Sequence, residues 1–267
     1  MEKPANDTSP QAGNILLREN GDGVAFLTLN RPRQYNALSS HLLLALHAQL
    51  DAIAQDPAVR VVVITGAGNA FCAGHDLKEM RGGCSAEEVA HLFRTCSDLM
   101  LKLARLPQPV IAEVNGMATA AGCQLVAQCD LAVAADHARF AASGVNLGLF
   151  CSTPAVPLTR ALARKRAAEM LFTGEFIDAA KALEWGLVNR VVPAAALREA
   201  TLQLAATLKA KPRETLALGK ALFYRQLELG IEAAYRDAAQ TIACNFGEPY
   251  ALEGIDAFLE KRAPKWR

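Results

Sequence analysis

The sequence lacks the features that would assign it early to a membrane, a nucleic acid or a disulfide scaffold. No apolar run in its 267 residues approaches the roughly 20 that a bilayer crossing needs. Charge is balanced, with 28 Lys and Arg against 27 Asp and Glu, so neither sign points to a nucleic-acid or membrane-surface partner. Seven cysteines form no C-x-x-C pair and are odd in number, which argues for small apolar core residues in a reducing compartment over disulfides or zinc. No G-x-G-x-x-G follows the first strand pattern, which disfavours a dinucleotide-dependent oxidoreductase. Residues Met1 to Gly13 are polar, carry two prolines and have no apolar stretch of the signal-peptide kind. They read as a disordered tail, and the chain reads as cytoplasmic. No low-complexity linker interrupts the rest, so one compact body is expected.

What is present is an alternation of strand and helix signals. Asn14 to Glu19 and Val24 to Asn30 flank Asn20-Gly21-Asp22-Gly23, a strong hairpin signal. From Ser39 to Ala54, Leu42, Leu43, Leu46, Leu50 and Ile53 recur at helical spacing, with Ser39 or Ser40 as N-cap. Val59 to Thr65 is a β-branched run suited to a strand buried on both faces. A helix from about Ala86 to Leu106 is stopped by Pro107 and Pro109. The pattern repeats as strand Val110–Val114, helix Ala121–Gln128 and strand Leu131–Ala135, which predicts an α/β core over residues 14–193. Beyond Pro193 the strand signal stops. Four helical segments run to about Leu259, punctuated by Pro212, Gly230 and Pro249. Residues 194–267 therefore read as a helical region packed on the core or on a partner subunit.

Two segments have the composition of backbone donor sites. Ala70-Phe71-Cys72-Ala73-Gly74-His75-Asp76-Leu77 leaves a strand through a glycine, and Asn115-Gly116-Met117-Ala118-Thr119-Ala120-Ala121-Gly122-Cys123-Gln124-Leu125 leaves another through small residues into a helix. Small side chains let a ligand approach the backbone, and N–H groups at such turns stabilise a developing oxyanion. Each segment taken alone also fits an ordinary turn.

Together with Arg31-Pro32…Asn36-Ala37-Leu38, Cys129-Asp130-Leu131, Ala182…Gly186-Leu187-Val188…Val191-Val192-Pro193 and Phe258-Leu259-Glu260-Lys261-Arg262, these segments stand in the order seen in enoyl-CoA hydratases and isomerases. The chain thus resembles the crotonase superfamily over nearly its whole length after the tail. The resemblance implies a spiral of repeated ββα units with a C-terminal helical oligomerisation region, assembled as a homotrimer or as a hexamer built from two trimers. It implies an acyl-CoA substrate, with coenzyme A as part of that substrate, no tightly bound cofactor and no metal. It assigns the oxyanion hole to the backbone N–H groups of His75 and Ala121. It points to Arg33, Ala37, Ala73, His75, Asp76, Leu77, Lys78, Phe258 and Lys261 for coenzyme A, with Lys261 reaching in from a neighbouring subunit.

The departures bear on the reaction. Where hydratases of the family carry glutamates, this chain has Gln124 and Gly144, and Ser152 stands nearest the aspartate of some isomerases and dehalogenases. A glutamine amide neither takes a proton from water nor supplies one to carbon at ordinary pH. Efficient hydration of a 2-enoyl thioester is therefore doubted. The alternatives are other enolate-type chemistry, a non-catalytic acyl-CoA binder, or a weak hydratase of fatty-acid metabolism. Cys123 and Cys151 are candidate nucleophiles without a visible base, and buried inert thiols are the better reading. Asp130 and Asp136 read as loop ties, Asp76 as a brace of its own turn, and Glu79 as a solvated side chain. Phe150 is expected to reshape the acyl pocket.

Overall fold

The computed structural model describes residues 14–82 and 85–266. The proposed tail, residues 1–13, lies outside the described residues, as does Cys84. Strands β1 (Leu16–Gly21) and β2 (Val24–Leu29) pair antiparallel around a two-residue turn. Asp22 and Gly23 both take positive φ there, 46° and 72°, so the Asp-Gly pair of the hairpin signal makes the turn. Helix α1 (Ser40–Ala54) follows, capped by Ser39, whose hydroxyl accepts the Leu42 N–H. The five apolar residues read from the periodicity are the ones it buries.

Three ββ units then succeed one another. Strands β3 (Val61–Gly66) and β4 (Ala70–Cys72) precede α2 (Leu77–Arg81) and α3 (Ala86–Arg105). Ser85 and Glu88 form a capping box at the start of α3. Strands β5 (Val110–Val114) and β6 (Met117–Thr119) precede α4 (Ala121–Gln128). Strands β7 (Leu131–Ala135) and β8 (Arg139–Ala141) precede a 3₁₀ turn at Ser143–Leu147 and helices α5 (Ser152–Ala161) and α6 (Arg164–Thr173). Strand β9 (Ile177–Asp178), α7 (Ala179–Trp185) and β10 (Arg190–Val192) close the core.

Each unit sends its first strand to a six-stranded sheet ordered β1-β2-β3-β5-β7-β10 and its second to a four-stranded sheet ordered β4-β6-β8-β9. Within both sheets the strands of successive units pair in parallel, which is the spiral implied by the resemblance. Strand β3 is buried on both faces. Val62 and Ile64 join the main core, while Val61 and Val63 join a smaller cluster beneath the next helix.

That helix is α8 (Leu197–Lys209), which seals the outer face with Leu197, Leu204 and Ala205. Helices α9 (Arg213–Gln226), α10 (Ile231–Phe246) and α11 (Pro249–Leu259) follow, with breaks at Pro212, Gly230 and Pro249. A buried polar cluster hooks α9 onto the core. The Asp130 carboxylate accepts from Lys220 Nζ at 2.6 Å, from the Tyr224 hydroxyl at 2.8 Å and from the Val110 N–H at 2.7 Å. Lys220 also donates to the Gln108 carbonyl at 3.0 Å. These last helices leave large apolar residues uncovered, among them Ile231, Tyr235, Phe246 and Phe258. Among the described residues no helix is long and apolar enough to cross a membrane.

Candidate functional site

The two donor segments meet. Gly74 has φ of 97°, and a Cβ placed there would lie 3.0 Å from Ala120 Cβ, 3.2 Å from the Thr119 carbonyl oxygen and 3.4 Å from the Ala121 nitrogen. Only a residue without a side chain permits that approach. A Cβ at Gly122 would fall 2.0 Å from the Cys72 carbonyl oxygen, so the start of α4 packs directly on β4. The backbone N–H groups of His75 and Ala121 thus stand on adjoining turns, and neither finds an acceptor among the described residues. Such a donor pair binds a carbonyl oxygen more tightly as negative charge develops on it.

The first turn is held by side chains. Leu38 pairs with it as a short parallel bridge, its N–H donating to the Gly74 carbonyl at 2.7 Å and its carbonyl accepting the Asp76 N–H at 3.2 Å. Asp76 caps α2 by accepting the Lys78 and Glu79 N–H groups, as the brace reading supposed. Arg31 joins Asp76 Oδ2 at 2.8 Å and the Ala37 carbonyl at 2.5 Å. Asn36 is fully buried with φ of 56°. It accepts the Arg31 N–H and donates to the carbonyls of Ala67 and Ala70. Burial raises the pKa of Asp76, but the hydrogen bond from Arg31, the two capping amides and the Arg31 charge outweigh it and hold the carboxyl below its ordinary range.

The second turn is held by packing and strain. Ala120 takes φ 49° and ψ −120°, a conformation that favours glycine, and its N–H donates to the Ala141 carbonyl at 2.9 Å. The ψ angle of Ala120 sets the direction of the Ala121 N–H. The strained residue therefore aims the donor.

Among the residues expected to contact coenzyme A, Ala37, Ala73, His75, Asp76, Leu77 and Lys78 gather on one strip, and Ala73 donates to the Tyr35 carbonyl at 3.0 Å. Arg33 is exposed on a 3₁₀ turn close by in sequence. Phe258 and Lys261 lie at the exposed end of α11, and no hydrogen bond or ion pair joins them to this strip in the same chain. Both ring nitrogens of His75 are sealed without a hydrogen-bond partner among the described residues, and its ring packs edge-on against Phe93 at 4.9 Å. Burial pulls the imidazole below the usual histidine range, opposed by the nearby Leu38 carbonyl and the Glu79 charge. Glu79 is not a plain solvated side chain: it is half-buried, and its carboxylate accepts the Ser40 N–H at 3.1 Å.

At the positions of the absent carboxylates the surroundings differ. Gln124 is 2% exposed, and its Oε1 is buried without a donor among the described residues. Gly144 is closed over, because a Cβ there would sit 2.4 Å from the Leu149 carbonyl oxygen and 2.9 Å from Cys151 Sγ. Its N–H donates to that sulfur at 3.3 Å, and its carbonyl accepts the Leu149 N–H at 3.0 Å. Burial pushes the Cys123 thiol up to about 12 and raises Cys151 as well, which leaves both protonated at neutral pH and removes them as ready nucleophiles. Phe150 faces Phe172 of α6, with ring centroids 6.1 Å apart, on a loop pinned on either side at Leu149 and Cys151. Among the described residues no group of three or more His, Cys, Asp or Glu side chains gathers to hold a metal.

The roles of Arg31 and Asn36 escaped the sequence reading, although both lay inside a motif it used. The available signal was a buried asparagine between a strand end and a helix cap, where the backbone needs side-chain partners.

The model of the enoyl-CoA hydratase/isomerase family matches residues 19–267. The chain is 46% identical to the rat enoyl-CoA hydratase domain-containing protein 3, mitochondrial, over 92% of this chain and 82% of that protein. It is 36% identical to the 2,3-dehydroadipyl-CoA hydratase of Escherichia coli strain K12, over 91% of this chain and 95% of that one. The crystal structure of an enoyl-CoA hydratase of Mycobacterium smegmatis superposes with a TM-score of 0.93 at 57% identity, covering 95% of this chain and 99% of its own.

Proposed function

The chain belongs to the enoyl-CoA hydratase/isomerase family, and on that premise we propose that it binds acyl-CoA thioesters and uses the His75 and Ala121 N–H groups for enolate-type chemistry other than efficient hydration. The observation that carries this reading is the contact of the two turns at Gly74 and Ala120, with both N–H groups left without acceptors. A thioester carbonyl accepting both would be polarised, and charge delocalised from the α carbon onto oxygen would be stabilised. The 73–78 strip holds the coenzyme A portion in this proposal. Phe258 and Lys261 reach it from a neighbouring subunit of a homotrimer, or of a hexamer of two trimers, and the uncovered apolar residues of α9 to α11 support such an assembly.

Hydration is the step these residues do not serve. It needs a base on water and an acid for carbon, and Gln124 supplies neither. Replacing Gly144 by glutamate would not by itself restore the pair, since its Cβ collides with the Leu149 carbonyl. That closure also favours a second reading, a binder that holds acyl-CoA without turning it over. A ligand-bound structure separates the two: a titratable group within hydrogen-bond reach of the α or β carbon supports the enzyme, and none there supports the binder.

The direct test follows the absorbance of crotonyl-CoA at high protein concentration while calorimetry measures coenzyme A binding. Binding with turnover at least about 10²-fold below a typical kcat of roughly 10 s⁻¹ is expected. Turnover within about tenfold of that typical value overturns the reading on hydration. Absence of any binding overturns the thioester assignment.

A further inference from the structure

Strand β8 and the residues after it run along the second donor turn. The Ala120 N–H donates to the Ala141 carbonyl at 2.9 Å, and the Thr119 and Ser143 hydroxyls meet at 2.7 Å. Gly144 is the next residue, so the position of one absent carboxylate is tied to the turn that carries the Ala121 N–H. A Cβ at Gly144 would lie 2.9 Å from Cys151 Sγ, which puts that sulfur where a glutamate side chain would begin. Cys151 Sγ accepts the Gly144 N–H at 3.3 Å, and its own proton has no acceptor among the described residues. Burial keeps this thiol protonated at neutral pH. The other absent carboxylate is replaced by the buried, uncharged amide of Gln124. The acids and the imidazole of the first turn are already occupied. Asp76 and Glu79 accept backbone N–H groups, and the His75 ring packs on Phe93. The site thus combines two oxyanion donors and a protonated thiol with no free base.

An enolate forms without a base when the substrate gives up something other than a proton. Resting on the thioester reading above, we infer that the site decarboxylates a 2-carboxyacyl-CoA thioester, with Cys151 as the proton donor to the α carbon. The bond between the α carbon and the carboxylate breaks, and carbon dioxide leaves. The bonding pair moves through the α carbon onto the thioester oxygen, where the His75 and Ala121 N–H groups hold it. The α carbon then takes the Cys151 proton, and water reprotonates the thiolate, so the sum consumes one proton and no oxidant. The substitutions suit a substrate that is itself an anion. Carboxylates at 124 and 144 would repel it, whereas an amide and a glycine do not. In the Thr119–Ser143 pair, whichever hydroxyl accepts keeps its own proton for the substrate carboxylate.

The test uses the full chain with coenzyme A, crotonyl-CoA, propionyl-CoA and methylmalonyl-CoA as probes. Calorimetry measures binding and mass spectrometry follows the products. Methylmalonyl-CoA should become propionyl-CoA at least about 10²-fold faster than crotonyl-CoA is hydrated, because only hydration lacks its acid–base pair. In deuterium oxide the propionyl-CoA formed should carry its α deuterium with one handedness. Cys151→Ala, or Cys151→Val should the smaller residue not fold, should lose that preference, and Cys151→Ser, which keeps a proton there, should retain it. Thermal melts verify folding. Methylmalonyl-CoA left intact while coenzyme A still binds overturns the inference and leaves the thioester reading standing. Uptake of α deuterium by added propionyl-CoA reveals a base and overturns the base-free route. One-handed product from the folded alanine or valine variant overturns the role of Cys151. If no probe binds, coenzyme A included, the thioester reading itself falls and takes the inference with it.

Discussion

The two turns that meet at Gly74 deliver the same chemical group, a backbone N–H, by different means. The turn at residues 73–77 is braced by polar side chains distant in sequence. Arg31 bonds Asp76 of the turn across 45 residues, and Asn36 fixes the chain leading into it at Ala67 and Ala70, across 31 and 34 residues. The turn at 119–122 has one polar tie of that kind, between the Thr119 and Ser143 hydroxyls at 2.7 Å. It is fixed by contact, with Gly122 pressed on the Cys72 carbonyl and Ala120 held in a strained conformation. A backbone donor can thus be aimed by a hydrogen-bond network or by sterics. The first method is sensitive to removal of a polar atom, and the second to addition of a carbon atom.

Substitutions can break or sharpen that contrast. The largest effect is expected for Gly122→Ala, since the new methyl would lie 2.0 Å from a carbonyl oxygen and backbone must move. A loss of about 4 kcal/mol or more is expected by denaturant unfolding. Asn36→Ala should follow, at about 3 kcal/mol, because it strips partners from the buried carbonyl of Ala70, from that of Ala67 and from the Arg31 N–H. If Asn36→Ala proves neutral, the first turn is held by packing after all. His75 gives a pH signature. Its pKa is lowered in the folded chain, so the unfolded chain takes up the proton first as pH falls. Stability from this residue is present above the unfolded value of about 6.5 and declines below it. His75→Phe should remove that decline in melting temperature between pH 6.5 and 5, and a decline that persists unchanged would reject the ring as its source. The smallest effect has the opposite sign. Ala120→Gly should stabilise the fold by about 1 kcal/mol, as relief of strain exceeds the added entropy of the unfolded chain. Destabilisation there would mean that the Ala120 methyl holds the turn by contact.

Much of the larger sheet and its helices was legible in the sequence because each element is long enough to carry its own period. The runs at Val61–Gly66 and Ser40–Ala54 show this. The smaller sheet was not legible. Its strands Ala70–Cys72, Met117–Thr119 and Arg139–Ala141 have three residues each, too few for a pattern, and each pairs with a segment tens of residues away. The site divides the same way. The donor turns stood out through small residues and order along the chain. The Arg31–Asn36 network and the closure over Gly144 depend on which distant segments touch, which no local pattern records.

The cluster of Asp130, Lys220 and Tyr224 bears on the order in which the chain completes itself. A ribosome releases Asp130 and Val110 long before residue 220, so the spiral can assemble while that carboxylate still lacks its cation. The site then rests on a core whose lower edge holds an uncompensated charge until α9 docks. Arrival of Lys220 is a latch, closed late and from the far end of the chain. A chain arrested before that point would carry both turns of the site on a core whose Asp130 carboxylate keeps the Val110 N–H but lacks Lys220 and Tyr224.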